Sequence, residues 1–119
     1  MIKPDEIEVR YYEGRDIMPL SREFKELVVT RAENDPEFRK GLIVEALNMI
    51  LEGEITAGRM MLRDYINATG AMDEICKKLK KQKPAISRML GPSGNPTLES
   101  IVPVIKACAE RENITPRVC

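Results

Sequence analysis

Six cations, Lys77, Lys78, Lys80, Lys81, Lys83 and Arg88, crowd one short stretch of the chain. The whole sequence holds 19 basic and 19 acidic residues with no formal net charge, so the excess of one sign is local. Ammonium and guanidinium groups displayed on one small unit are suited to neutralising phosphates, as a helix that seeks a nucleic-acid groove requires. The same run also fits a solvated helix end, because the helix dipole favours lysine near a C-terminus. Both readings stand on these residues alone.

Other chemistry lacks its parts. The chain has no histidine and only three cysteines. Cys76, Cys108 and Cys119 are an odd number without close spacing, which excludes an ordinary zinc finger and argues against a disulfide framework. Cys76 and Cys108 fall on apolar helix faces and are expected as small buried hydrophobes. Cys119 is terminal, and a redox role for it is the minor reading. The stretch 21–68 carries no nucleophile, no pair of carboxylates set apart by environment and no phosphate-binding glycine loop. Gly91-Pro92-Ser93-Gly94 fits neither the P-loop nor the dinucleotide fingerprint and reads as a surface connection. Asp64 and Asn67, three apart, read as a common pattern of a helix surface. Neither an enzyme nor a bound cofactor or metal is expected.

The elements that position the cations follow from apolar spacing. Met72, Ile75, Cys76 and Leu79 recur at steps of three and four and predict a helix over 72–79. Ile86, Met89 and Leu90 do the same over 84–90. Between them, Lys80-Lys81-Gln82-Lys83 has no apolar anchor, and Pro84, which lacks an N–H and disfavours a helical residue before it, marks a new helix. Helix, tight connection, helix is the predicted arrangement of residues 71–98.

Upstream, Asp35 and Pro36 make an N-cap and first-turn pair for a helix over 36–51, with Phe38, Leu42, Ile43, Ala46, Leu47 and Ile50 as its inner stripe. Ser21 is expected to cap the helix before it, lined by Phe24, Leu27, Val28 and Ala32. A third helix is predicted over 56–68, with Met60, Met61, Leu62, Tyr65 and Ile66 apolar and Gly70 closing it. In residues 1–20, Ile7, Val9 and Tyr11 alternate, which fits a strand or an extended arm used in association, or equally a frayed terminus.

A chain of 119 residues is enough for one core and not two. With 32% charged residues, 4% aromatics and seven methionines, it reads as all-α. Met49, Met60, Met61 and Met72 are expected as core filler, although methionines also suit adaptable partner surfaces. The apolar run 101–109 is broken by Pro103 and Lys106 and is too short to cross a bilayer. Residues 1–6 are acidic and proline-interrupted, unlike a secretory signal, so a cytoplasmic chain is expected.

Ile75-Cys76-Lys77-Lys78-Leu79, Ile86-Ser87-Arg88-Met89 and Gly94-Asn95-Pro96-Thr97-Leu98, followed by Ile101, Val102, Ile105 and Cys108, resemble the Xre/Cro, lambda-repressor-like helix-turn-helix family over roughly the last half of the chain. Arg63-Asp64-Tyr65-Ile66-Asn67-Ala68-Thr69 and Arg88-Met89-Leu90-Gly91-Pro92-Ser93-Gly94-Asn95-Pro96-Thr97 are similar to its addiction-module antidote branch, related to HigA-type antitoxins. The resemblance implies a helix-turn-helix bundle with an N-terminal helical extension. Residues 1–20 would be an arm, 21–54 the extension, 55–112 the DNA-binding domain and 113–119 a tail. The sequence departs from the family in three places. Lys80 stands where the turn has glycine, so a left-handed turn there carries a Cβ at about 1 kcal/mol. Lys81 stands where an aliphatic residue is usually buried, and its stem is expected to snorkel. Pro103 interrupts the backbone bonding of the following helix and should bend it.

By that resemblance the helix beginning near Lys83 enters the major groove of double-stranded DNA. Gln82, Lys83, Ala85 and Arg88 match the outward positions of the recognition helix. Gln82 and Lys83 would read a purine edge or hold a phosphate, Arg88 would bind guanine through two hydrogen bonds, and Ala85 offers a methyl contact. Ser93, Gly94 and Asn95 match the backbone-contacting loop, and Lys81 adjoins it all as a further cation. One such unit reads too few base pairs, so a homodimer on a pseudo-palindromic operator is expected. The antitoxin branch adds a small basic RNase toxin as partner, for which Glu33, Asp35, Glu37, Glu45, Glu52 and Glu54 would supply complementary charge. The same acids also fit an ordinary solvated helix pair. Two other readings remain: a stand-alone repressor of the same fold, and a helical adaptor that binds protein and never DNA.

Overall fold

Asp35 shows how local chemistry sets the helix boundaries. In extended conformation (φ −131°, ψ 97°), its carboxylate accepts from the Glu37 and Phe38 amides at 3.0 and 3.2 Å, with Pro36 in the first turn behind it. The computed structural model describes residues 22–117, with 22–25 as backbone alone. Six helices follow one another: α1 (Arg22–Asn34), α2 (Pro36–Leu51), α3 (Ile55–Thr69), α4 (Met72–Leu79), α5 (Lys83–Leu90) and α6 (Leu98–Arg111). No strand occurs among the described residues, which form an all-α bundle. The expected arm of residues 1–20, the Ser21 cap, the Phe24 side chain and Cys119 lie outside the described residues.

The second, third, fourth and fifth helices fall within a residue of their predicted bounds, because their caps are encoded locally. Gly70 takes the left-handed conformation (φ 68°, ψ 25°) that ends α3, and Thr97 starts α6 by accepting from the Ser100 amide at 3.2 Å. α3 is the hub, packing on α1, on α5 and most broadly on α2. Gly58 makes the α2–α3 approach close: a Cβ there would lie 2.6 Å from Ile50 Cγ1 and 2.8 Å from the Ala46 carbonyl.

One core runs from α2 to α6. Leu42, Ile43, Ala46, Met61, Leu62, Tyr65, Ile66, Ile75, Ile86, Leu90, Val104 and Cys108 are all buried in it. It spans the boundary between 21–54 and 55–112, since α2 and α3 bury their inner faces against each other. Met49 and Met61 are buried in the core and Met72 packs against it, as filler, whereas Met60 is half-buried and outside that cluster. Cys108 is fully buried and Cys76 half-buried, both as free thiols.

Three expected positions are corrected. Leu27, placed on the inner side of α1, is 48% exposed, and Ala32 is the residue that reaches the core. Val102, placed among the core residues of α6, is 49% exposed, and Val104 is buried instead. Ile101, Val104 and Cys108 share one face at steps of three and four, which turns Val102 outward by one residue's rotation. Asp64 is half-buried rather than on an open surface, while Asn67 is exposed. α6 runs on through Pro103, which removes the bond that its position would give to the Glu99 carbonyl.

Past α6 the chain folds back on itself. Asn113 is left-handed (φ 57°), the Ile114 amide donates to the Ala109 carbonyl at 2.8 Å, and Ile114 rests against the core. Just before it, Glu112 ties the helices together from a buried position. It accepts from Arg39 Nε on α2 at 3.1 Å and from the Tyr65 hydroxyl on α3 at 2.6 Å. Arg111 donates to the Tyr65 oxygen at 3.2 Å and reaches Glu74 of α4 at 3.3 Å. Burial, then the bond to Glu112, raises the Tyr65 phenol above its ordinary range.

Candidate nucleic-acid interface

α4 begins acidic and ends basic, with Asp73 and Glu74 in its first turn and Lys77 and Lys78 in its last, the order that complements a helix dipole. Its end is closed by paired backbone bonds. The Lys81 amide donates to the Cys76 carbonyl at 3.0 Å and the Lys80 amide to that of Lys77 at 3.4 Å, with Lys80 left-handed (φ 55°, ψ 45°). This is a Schellman turn with lysine in the glycine position, formed at a cost of about 1 kcal/mol because it recovers carbonyls that α4 would otherwise leave open. Lys81 is exposed along with Lys80.

Gln82 then extends (φ −82°, ψ 150°) and its carbonyl accepts from the Ala85 and Ile86 amides at 3.0 and 3.2 Å, which starts α5. The helix opens at Lys83, one residue before the predicted position. The Gln82 side chain makes no capping bond and stays exposed. α5 buries Ile86 and Leu90 completely and leaves Lys83, Ala85, Ser87 and Arg88 in solvent. Lys83 is bound by Asp73 across the turn, Nζ to Oδ1 at 2.7 Å, and that bond raises the Lys83 ammonium above its usual range. Lys78 pairs with Glu110 of α6 at 3.1 Å. Among the described residues Lys77, Lys80, Lys81 and Arg88 have no ion pair.

Every residue singled out from the sequence at this site is solvent-accessible: Lys81, Gln82, Lys83, Ala85, Arg88, Ser93 and Asn95 are exposed, and Gly94 is half-buried. The loop that carries the last three is fastened from below by Arg59 of α3, which sequence reasoning missed. Arg59 is 4% exposed, and its Nη1 donates to the Met89 carbonyl at 2.9 Å and to the Gly91 carbonyl at 2.7 Å. It thereby takes up carbonyls at the C-terminal end of α5, where a cation also meets the negative end of the dipole. Gly94 lies on the same structure. A Cβ at that position would collide with the Arg88 carbonyl and lie 2.8 Å from Arg59 Nη1. The stretch read as a plain surface connection therefore has buried Gly91 and half-buried Gly94 against the end of α5. A sequence signal for Arg59 did exist: it stands three before Leu62 and seven before Ile66, a charge at the head of an apolar stripe.

No group of histidine, cysteine or carboxylate side chains among the described residues could hold a metal. No helix there is long and apolar enough to cross a membrane. The chain matches no protein-family model, no curated protein and no solved structure.

Proposed function

We propose that this chain is a cytoplasmic, sequence-specific DNA-binding regulator, with α4 and α5 as a helix-turn-helix and α5 as the helix that enters the major groove. One observation carries the reading. Ile86 and Leu90 hold α5 by one side, while Gln82, Lys83, Ala85 and Arg88 stand in solvent beside the exposed lysines of α4 and the turn. That division leaves the N-terminal and outward positions of a short helix available to base edges, with Lys77, Lys80 and Lys81 beside them for phosphates. Asp73 has a role within this reading. It holds Lys83 in the unbound protein and would exchange it for a phosphate or a purine on binding. The similarity to antidote proteins extends the proposal to an antitoxin that represses its own operon and silences a small RNase toxin. Exposed Glu45 on α2 and Glu52 just past its end, next to exposed Val44 and Leu51, are the features that favour a basic protein partner.

The test is binding of the full chain to the DNA upstream of its own coding sequence across a salt series. Arg88→Ala is expected to cost about 1–3 kcal/mol and to relax discrimination at one base pair. Lys81→Ala is expected to weaken all sequences alike and to flatten the salt slope by about one. Undetectable binding at low salt, or binding indifferent to both changes, leaves the adaptor reading in its place. For the antitoxin half, co-expression with the product of an adjacent small basic reading frame is expected to rescue growth and give a complex that purifies. Unrelieved toxicity without a complex leaves a stand-alone repressor.

A further inference from the structure

Leu98, 77% exposed, opens α6, and Val102, 49% exposed, follows it one turn later. Two charged residues border this apolar strip on the same outward face. Glu99 and Lys106 are both exposed, neither has an ion pair among the described residues, and they lie two turns apart, about 10 Å along the axis. We infer that this face of α6 is where two copies of the chain associate, with the helices antiparallel about a two-fold axis passing beside Val102. In that register Glu99 of each copy lies opposite Lys106 of the other, Val102 from both fills the seam between the two ion pairs, and Leu98 of each packs just outside its pair.

The charge pattern selects a second copy over other occupants. An acid and a base placed symmetrically about an apolar centre complement themselves when the helix is turned end for end, as an isologous interface demands. Of the exposed apolar side chains outside α6, Val44, Leu51 at 72% and Ile55 at 54% are accompanied by exposed Glu45 and Glu52. Two copies meeting there would bring like charges together, so that face does not pair with itself. The α6 seam supplies the dimer on which the DNA-binding reading depends for its palindromic site, but association itself is measured without DNA.

Sedimentation equilibrium of the full chain tests it. The wild type is expected to be a dimer, and Glu99→Lys alone or Lys106→Glu alone to raise its dissociation constant at least about tenfold by setting like charges opposite each other. The double swap, Glu99→Lys with Lys106→Glu, is expected to return it to within about threefold of the wild type. Val102→Asp is expected to give a monomer with an unchanged helical circular-dichroism spectrum, since the side chain is outside the core. A monomeric wild type, a dimer that survives Val102→Asp, or a double swap no better than the singles overturns the inference. A monomer that still binds the upstream DNA overturns the interface alone. A dimer that obeys the charge swap but ignores DNA overturns the function proposed above and leaves the interface standing.

Discussion

Arg59 places a full charge in the interior and satisfies it with oxygen dipoles alone. Met89 and Gly91 offer carbonyls, Thr56 Oγ1 lies at 3.4 Å from Nη2, and the buried Nε has no hydrogen-bond partner. Such a residue is an expensive way to gain stability, since desolvating a guanidinium offsets much of what its hydrogen bonds return. What it secures is position: the end of α5 and the loop bearing Ser93 and Asn95 are bound to the hub helix. Arg59→Met keeps the stem and strands two carbonyls, so we expect a loss of about 1–3 kcal/mol in denaturant unfolding. The diagnostic readout is local. Amide exchange should accelerate in α5 and residues 91–95 more than in α2, and an even change along the chain would show that Arg59 serves global stability only.

At the scale of elements, α4 and α5 are short, eight residues each, and too brief to be stable alone. Their stability comes from Ile75, Ile86 and Leu90 in the common core, and their relative direction comes from the three-residue connection between them. Lys80 is the strained point of that connection. Lys80→Gly removes a Cβ from a left-handed residue while keeping both Schellman bonds, and is expected to stabilise the fold by about 0.5–1 kcal/mol. Thermal melts of the two proteins check it. An unchanged or lowered midpoint would mean that the turn relaxes out of the left-handed region. The same substitution deletes one exposed cation, so the DNA-binding reading predicts a stabler protein that binds the upstream DNA somewhat more weakly.

For the whole molecule, burial raises acid pKa values in more than one place, so stability has a predictable slope with pH. Desolvation lifts the Asp64 carboxyl to about 7, and no hydrogen bond or ion pair to it occurs among the described residues. Its folded value lies above its unfolded one, so between about pH 4 and 7 the native state holds more protons than the unfolded state. The Asp64 contribution to stability is therefore complete below that window and is lost as pH rises through it. Asp64→Asn mimics the neutral form, and the gap between variant and wild type should open from near zero at pH 4 to about 1–2 kcal/mol at pH 8, allowing for the part of the side chain that water still reaches. Urea unfolding at three pH values measures this, and a gap independent of pH would show that Asp64 ionises normally. Burial also pushes the Cys108 thiol up to about 12, which adds a second decline above pH 9, where the unfolded thiol begins to ionise.

The amino-acid sequence by itself determined the helices and where they stop. Asp35 with Pro36, Gly70 and Pro84 act through neighbouring backbone groups, and three- and four-residue spacing names most of each inner face. It also located the exposed cations of α4 and α5, because charge that has no buried partner must face water. Tertiary structure alone decided that Leu27 stands in solvent while Ala32 on the same helix is buried, since that depends on the angle at which α1 meets α3. It alone joined Arg59 to carbonyls some thirty residues away and Glu112 to Arg39 and Tyr65, because a buried polar group chooses partners by proximity after packing, and no local periodicity records that proximity.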